Sequence, residues 1–201
     1  MVLPESFYTG KDVVKIAKEL LGKVLATNID GIYTSGIIVE TEAYAGETDK
    51  ASHAYGGRRT RRTEVMYRHG GRAYVYLCYG IHHLFNVVTN VQDIPHAVLI
   101  RAIEPLEGIA AMLERRGKTK LHPSLTAGPG AMSMALGIHT LHTGVSLQGP
   151  EIVIEDRGIK VNSKDIVAST RVGVAYAMDD ALRPYRLHLK DNPYVSKGKG
   201  L

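Results

Sequence analysis

A chain of 201 residues is about the size of one domain, since domains run to roughly 100–200 residues, and its 44% hydrophobic and 22% charged content excludes disordered and fibrous classes. The one cysteine, Cys78, permits neither an internal disulfide nor a thiolate zinc site of its own. Lys and Arg number 25 against 20 Asp and Glu, a formal charge of +5, which favours a polyanionic partner without specifying it.

Ser6 to Gly22 is predicted as a helix. Thr9 and Asp12 resemble a capping box, and Val13, Ile16, Ala17, Leu20 and Leu21 share one face before Gly22 stops it. Val24 to Ile29 has a strand pattern, Asp30-Gly31 is a tight-turn signal, and Ile32 to Tyr44 is the antiparallel partner. Residues 45 to 71 form a long connection rich in Gly, Arg and His, and loops of such length inside a compact domain are usually functional. Ala73 to Tyr79 and His82 to Asn90 make a second hairpin around Gly80. Val98 to Ile103 is predicted as a strand that enters a helix near Pro105, with Ile109, Met112 and Leu113 at helical spacing. Thr126 to Leu136 is a helix opened by Gly-Pro-Gly and closed by Gly137. Glu151 to Glu155, Asp165 to Val174 and Tyr185 to Leu189 are short strands, and Val195 to Leu201 is a frayed basic tail, with residues 196–201 flexible. The prediction is one α+β domain spanning residues 1–201, built on a mainly antiparallel sheet. Met1-Val-Leu-Pro-Glu-Ser6 lacks the basic-then-apolar order of a signal peptide. The apolar runs fall far short of the ~20 residues that cross a bilayer. A cytoplasmic protein with no membrane partner is expected, nucleoid-associated in a prokaryote.

Charge is unevenly placed. Arg58, Arg59, Arg61, Arg62, Arg68 and Arg72 face a single acid, Glu64, whereas Glu40, Glu42, Glu47 and Asp49 cluster upstream. Such a pairing suits a site that grips a phosphate backbone beside carboxylate chemistry. On the strand Ile37 to Tyr44, period-two alternation puts Ile38, Glu40, Glu42 and Tyr44 on one face and Ile37, Val39, Thr41 and Ala43 on the other. Two carboxylates on an otherwise apolar face must be paired or solvated; Glu40 reads as structural, and a general base at a site mouth is the functional alternative. Tyr74, Tyr76 and Cys78 share a face of the next strand. Tyrosines favour strands for packing reasons, yet phenols beside an arginine-rich loop also make a stacking platform for nucleobases. The histidines His53, His69, His82, His83 and His96 show no i, i+4 ligand spacing, and no phosphate or dinucleotide fingerprint is present. No metal and no cofactor are expected, and Cys78 reads as an inert strand residue. On residues alone, three readings stand: an enzyme acting on nucleic acid, a non-catalytic nucleic-acid-binding module, and a metal-dependent hydrolase using Glu40, Glu42 and the histidines.

A family resemblance narrows these. Ile38-Val-Glu-Thr-Glu-Ala-Tyr44, His53, Gly56-Gly-Arg58, Tyr74-Val-Tyr-x-x-Tyr-Gly80, Asn86 and Leu99-Ile-Arg-Ala-Ile-Glu-Pro-Leu-Glu-Gly108 stand in the order seen in 3-methyladenine DNA glycosylases of the alkyladenine type. Leu125-Thr-Ala-Gly-Pro129, Arg171-Val-Gly-Val174 and Pro193-Tyr-Val-Ser196 continue it, so the chain resembles that family from about residue 5 to residue 197. The resemblance implies a compact α+β domain with a curved sheet, flanking helices and a protruding β-hairpin. It implies a monomer acting on double-stranded DNA as a monofunctional glycosylase, releasing alkylated or deaminated purines such as 3-methyladenine, 7-methylguanine, hypoxanthine and ethenoadenine. Glu42 matches the general base, and Arg101 a residue orienting water or backbone near it. Tyr44, His53 and Tyr76 match residues that sandwich the extruded base. Asn86 matches one that rejects guanine's exocyclic amine, and Tyr79 the wedge that fills the vacated space. Arg58, Arg59, Arg61 and Arg62 are expected to neutralise phosphates. The stretch Ala45 to Ser52 and the arginine density after Arg58 depart from the family pattern.

Overall fold

A computed structural model describes residues 1–201. The elements run, in chain order, α1 (Glu5–Tyr8), α2 (Val13–Glu19), β1 (Val24–Ile29), β2 (Ile32–Tyr44), β3 (Arg72–Cys78), β4 (His82–Thr89), β5 (His96–Glu107), α3 (Ile109–Arg115), α4 (Pro129–Leu136), β6 (Ile152–Glu155), β7 (Ile166–Ser169) and β8 (Arg186–Leu189). This is an α+β domain whose eight strands form one curled antiparallel sheet in the order β3-β4-β5-β2-β1-β6, with β8 added to β2 and β7 to β8.

β2 is the spine. β5 lies along one edge, while the other is shared by β1, which pairs residues 32 to 37, and β8, which pairs Glu40 to Glu42. The β1–β2 turn is as tight as Asp30-Gly31 suggests, with φ of 55° and 75° at those residues, the positive values a two-residue hairpin requires. One face of the sheet carries a core that includes Ile38, Ala43, Val75, Phe85, Val87, Val98, Ile100 and Ile103, covered by Ile16, Leu20 and Met132 from the helices. The opposite face carries the polar site. No helix is long and apolar enough to cross a membrane.

Several expectations need correction. The first helix is two: Asp12 takes the N–H groups of Val14 and Lys15, capping a fresh start, and Tyr8's carbonyl accepts from Asn90 instead of continuing the helix. β5 does not turn into a helix near Pro105. It runs on to Glu107, with Pro105 opposite Gly36 at a register shift, the kind of irregularity where a strand proline is tolerated. The bend comes at Gly108, where a Cβ would sit 2.2 Å from the Tyr33 carbonyl oxygen, so only glycine fits. The strand predicted over Asp165 to Val174 ends at Ser169. The long connection is ordered into 3₁₀ turns at Gly46–Thr48, Tyr55–Gly57 and Glu64–Tyr67.

The face assignment on β2 also changes. Ile38 pairs with Ile103, Glu40 with Ala102 and Thr41 with Ile100, so Val39 is an extra residue in β2 and Arg101 an extra one in β5. These two irregularities cancel in register but swap faces. Ile38 joins the core and the Thr41 hydroxyl donates to Ala17 O at 3.0 Å, while Glu40 turns to the opposite side. Finally, the tail is anchored. Ser196 is 7% exposed; its N–H donates to Glu40 Oε2 at 2.7 Å and its hydroxyl to Glu40 Oε1 at 2.9 Å.

That anchor yields a test. Ser196 N–H is the one donor to Glu40 Oε2, so ending the chain after Tyr194 strands a buried carboxylate oxygen, at about 1–3 kcal/mol or more. At roughly 2–4 °C per kcal/mol for a domain this size, thermal denaturation of the shortened chain is expected to show a midpoint several degrees lower. An unchanged midpoint would show that the tail holds nothing.

Candidate active site

A cavity of about 700 Å³ opens on the polar face of the sheet. Its wall is built from β2 (Glu42, Tyr44), the following connection (Ser52, His53, Arg62), the β3–β4 hairpin (Tyr74, Tyr76, Asn86), β5 (Leu99, Arg101) and the segment after β7 (Val172, Tyr176). The structure thus brings Glu42, Tyr44, His53, Tyr76, Asn86, Tyr79 and Arg101 to one place from four parts of the chain.

Glu42 is fully buried at the wall, and every contact to its carboxylate is a donor. Oε2 accepts from the Tyr44 hydroxyl at 2.7 Å, and Oε1 accepts from the Val172 N–H at 2.8 Å with Arg101 Nη1 at 3.2 Å. A carboxylate offers about four acceptor positions, so one remains at Oε2. Burial, then the charge of Glu42, pushes the Tyr44 phenol well above its ordinary pKa, which keeps it a donor.

Arg101 is 6% exposed and lies between the two acids, donating through Nε to Glu40 Oε1 at 2.9 Å and through Nη2 to Ser196 Oγ at 3.2 Å. Glu40 also accepts from Arg186 Nε at 2.7 Å. Burial alone would raise the Glu40 pKa, but Arg101, the Ser196 N–H and Arg186 outweigh it and hold the group below the ordinary value. Glu40 is structural, as read.

Opposite stands an aromatic wall. His53 meets Tyr76 edge-on with centroids 4.6 Å apart, and Tyr74 lies 5.6 Å from Tyr76. His53 Nδ1 is 2.8 Å from the Tyr74 hydroxyl and Nε2 is 3.2 Å from Arg62 Nη2. A guanidinium can only donate, so Nε2 is the bare nitrogen and Nδ1 carries the proton. Burial, then the charges of Arg62 and Arg58, lowers the His53 pKa to about 4, leaving the ring neutral near pH 7. Asn86 is buried, and its amide donates to the carbonyls of Tyr74 and Leu84 at 3.1 and 3.2 Å, which pins its orientation.

Tyr79 sits at the tip of the hairpin, 91% exposed, with Ile81 beside it at 70%. Its φ is 51°, followed by 73° at Gly80, a left-handed conformation unusual for a bulky residue. The four arginines divide. Arg59 is held by Glu64 and Asp93 at 2.8 Å each and lies over the Tyr67 ring; it is a brace for the loop. Arg62 lies over Tyr76 at 4.9 Å and belongs to the cavity rim. Arg58 and Arg61 are exposed. The histidines do not converge: no group of three or more His, Cys, Asp or Glu is placed to hold a metal. Cys78 is a half-buried residue of the cavity wall.

Sequence reasoning missed the contributions of Val172, Arg171, Asp49 and Tyr176. A backbone N–H such as that of Val172 leaves no mark in residue identity, and Arg171 was visible only as part of Arg171-Val-Gly-Val174. Because Arg62 donates to Nε2 and carries like charge, Arg62→Ala is expected to raise the His53 pKa, while burial keeps it below the ordinary 6.5. Titration of the ring protons by NMR measures this; an unmoved value would place the perturbing field elsewhere.

With this geometry in view, comparison with known proteins gives a consistent result. A family model described as methylpurine-DNA glycosylase matches residues 6–193. A protein of Bacillus cereus strain G9842 is 48% identical over 206 aligned positions, covering 98% of this chain and 100% of its own length. One of Chlamydia abortus strain DSM 27085 / S26/3 is 49% identical over 193 positions, covering 94% of this chain and again 100% of its own. Both are named "Putative 3-methyladenine DNA glycosylase". The chain is therefore a DNA glycosylase, a hydrolase of N-glycosyl bonds in DNA repair, and it belongs to the methylpurine-DNA glycosylase family.

Proposed function

We propose that the chain swings a damaged purine out of duplex DNA into the cavity and hydrolyses its N-glycosidic bond with a water activated by Glu42. The substrates are alkylated or deaminated purines, 3-methyladenine together with 7-methylguanine, hypoxanthine and ethenoadenine. The observation that carries this is the Glu42 carboxylate, aimed by two hydrogen-bond donors and an ion pair with Arg101 and set in the wall of a phenol-lined cavity.

The chemistry follows from the parts. A base within a duplex is out of reach, and extrusion costs a few kcal/mol, least for lesions that pair or stack poorly. Tyr79, with Ile81 and Leu77 exposed beside it, is the wedge that holds the gap. Tyr44 on one side and His53 with Tyr76 on the other recover about 1–3 kcal/mol per stacked face. The neutral His53 adds no repulsion to a cationic base. Pinned Asn86 cannot swing aside for an exocyclic amine. Arg58 and Arg61, exposed and outside the cavity wall, supply phosphate contacts.

Water at Oε2 gives its proton to Glu42 as its oxygen bonds to C1′, and the C1′–N bond breaks with its electron pair going to the base, through an oxocarbenium-like transition state. A cationic N-methylpurine leaves neutral without an acid; a neutral lesion needs a proton. No lysine lines the cavity, consistent with water rather than an amine as nucleophile and an abasic site as product. A purely binding role leaves the aimed carboxylate without a purpose, and a metal-dependent route lacks a convergent ligand set.

Glu42→Gln keeps shape and removes the base. It is expected to lower excision by about 10²–10⁴-fold with duplex affinity nearly unchanged, read by alkaline strand scission of a hypoxanthine-containing duplex in EDTA. Full scission by this variant would discard the mechanism, and loss of wild-type scission in EDTA would favour the metal route. Tyr79→Asn places a residue that tolerates left-handed backbone where Tyr costs about 1–2 kcal/mol. The variant is expected to melt no lower than wild type yet excise from duplex at least about tenfold more slowly, since unstacking costs a few kcal/mol per step. Equal excision rates would remove Tyr79 from the wedge role.

A further inference from the structure

Behind the base platform lies a buried ion pair that the reaction above does not use. Arg171 is 1% exposed and Asp49 fully buried. Arg171 Nη2 donates to Asp49 Oδ1 at 2.8 Å and to Asp180 O at 3.0 Å, and Nη1 donates to Asp49 Oδ2 and to Ala43 O at 2.9 Å. Asp49 in turn accepts the N–H groups of Ala45 and Ala51, each at 3.0 Å. The guanidinium carbon lies 4.8 Å from the centroid of Tyr44 and 5.3 Å from that of Tyr185. One side chain thereby joins the end of β2, the turn after it, the segment beyond β7 and the start of β8.

Both hydrogen-bond donors to Glu42 hang from this joint. Tyr44, whose hydroxyl meets Oε2, lies against the guanidinium, and Val172, whose N–H meets Oε1, is the next residue in the chain. A buried ion pair adds little net stability over apolar packing, because desolvation of both charges offsets their attraction. A planar fork does something an apolar residue cannot: its N–H groups fix two carboxylate oxygens and two carbonyls while its face packs against a ring. We propose that Arg171, clamped by Asp49, is a positioning residue that sets the aim of Glu42 by fixing Tyr44 from behind and Val172 from the adjacent peptide. This rests on Glu42 being the general base. The charged and titratable groups around that carboxylate are Tyr44 and Glu40 from β2, Arg101 from β5, Tyr76 from β3, and Arg171 and Tyr176 from the segment after β7.

The experiment compares wild type, Arg171→Lys, the paired variant Asp49→Asn/Arg171→Met and Glu42→Gln. Single-turnover excision of hypoxanthine from duplex is measured at saturating enzyme, with thermal midpoint and duplex affinity alongside. Removing both charges avoids leaving either one buried alone. The paired variant is expected to bind duplex within about threefold of wild type and lose about a hundredfold in rate, the scale of a misplacement near 1 Å. Arg171→Lys keeps the charge and loses the fork, and is expected to lose rate by less, again with affinity kept. A merely structural role would lower the midpoint and weaken rate and affinity together. A folded paired variant with wild-type rate overturns the proposal; should that variant not fold, Arg171→Lys decides by the same split between rate and affinity. Normal excision by Glu42→Gln would instead overturn the base assignment itself.

Discussion

Two shielded carboxylates on one strand, Glu40 and Glu42, can coexist only because positive charge is interleaved between and behind them. Arg101 touches both, at 2.9 and 3.2 Å, and Arg186 closes on Glu40 from β8. Buried acids without such partners would take up protons. The division of labour is visible in the donor sets. Glu40 is bound at both oxygens by arginines and Ser196 and lies outside the cavity lining, whereas Glu42 lines the cavity. The first acid gathers β5, β8 and the tail; the second works within the frame they make.

The sheet reaches this arrangement by a local trick of register. An uninterrupted β2 would set Ile38, Glu40 and Glu42 on the same side and give one of the two faces a mixture of oil and charge. The paired irregularities at Val39 and Arg101 separate them, with Ile38 and Ile103 directed inward and Arg101 reaching the acids. The curl of the sheet then brings the β3–β4 hairpin over the same face, so that Asn86, opposite Leu99, and Tyr74, opposite Asn86, line up across successive strands toward Glu42.

Much of this was legible from residue order. The span of β2 follows from Asp30-Gly31 and its alternating pattern, both hairpins were marked by their turn residues, and the ordered motifs picked out the residues that surround the cavity. What escaped was non-local or backbone-borne. Ile37-Ile38-Val39 is uniformly apolar, so nothing in it betrays where the alternation skips a beat. The partner of Arg59 across the fold, Asp93, lies 34 positions away, and no local rule separates that arginine from Arg58 or Arg61. The predicted strand 165–174 was read through a point where the chain leaves the sheet, and that departure delivers Arg171 and Val172 to the site. The tail reads as flexible because its buried anchoring residue, Ser196, is small and polar and its other tie, from the Thr170 hydroxyl to the Leu201 carbonyl, is made to backbone.

The long sequence separations within the site bear on when it can work. The acids of β2 emerge early from the ribosome, but the Glu42 donor at Val172 follows 130 residues later and the Glu40 donor at Ser196 follows 156 later. At a synthesis rate of about 5–20 residues per second, the acids spend many seconds without their completing contacts. Both acids therefore stay incompletely partnered during synthesis until the stretch that carries Val172 and Ser196 has docked against β2.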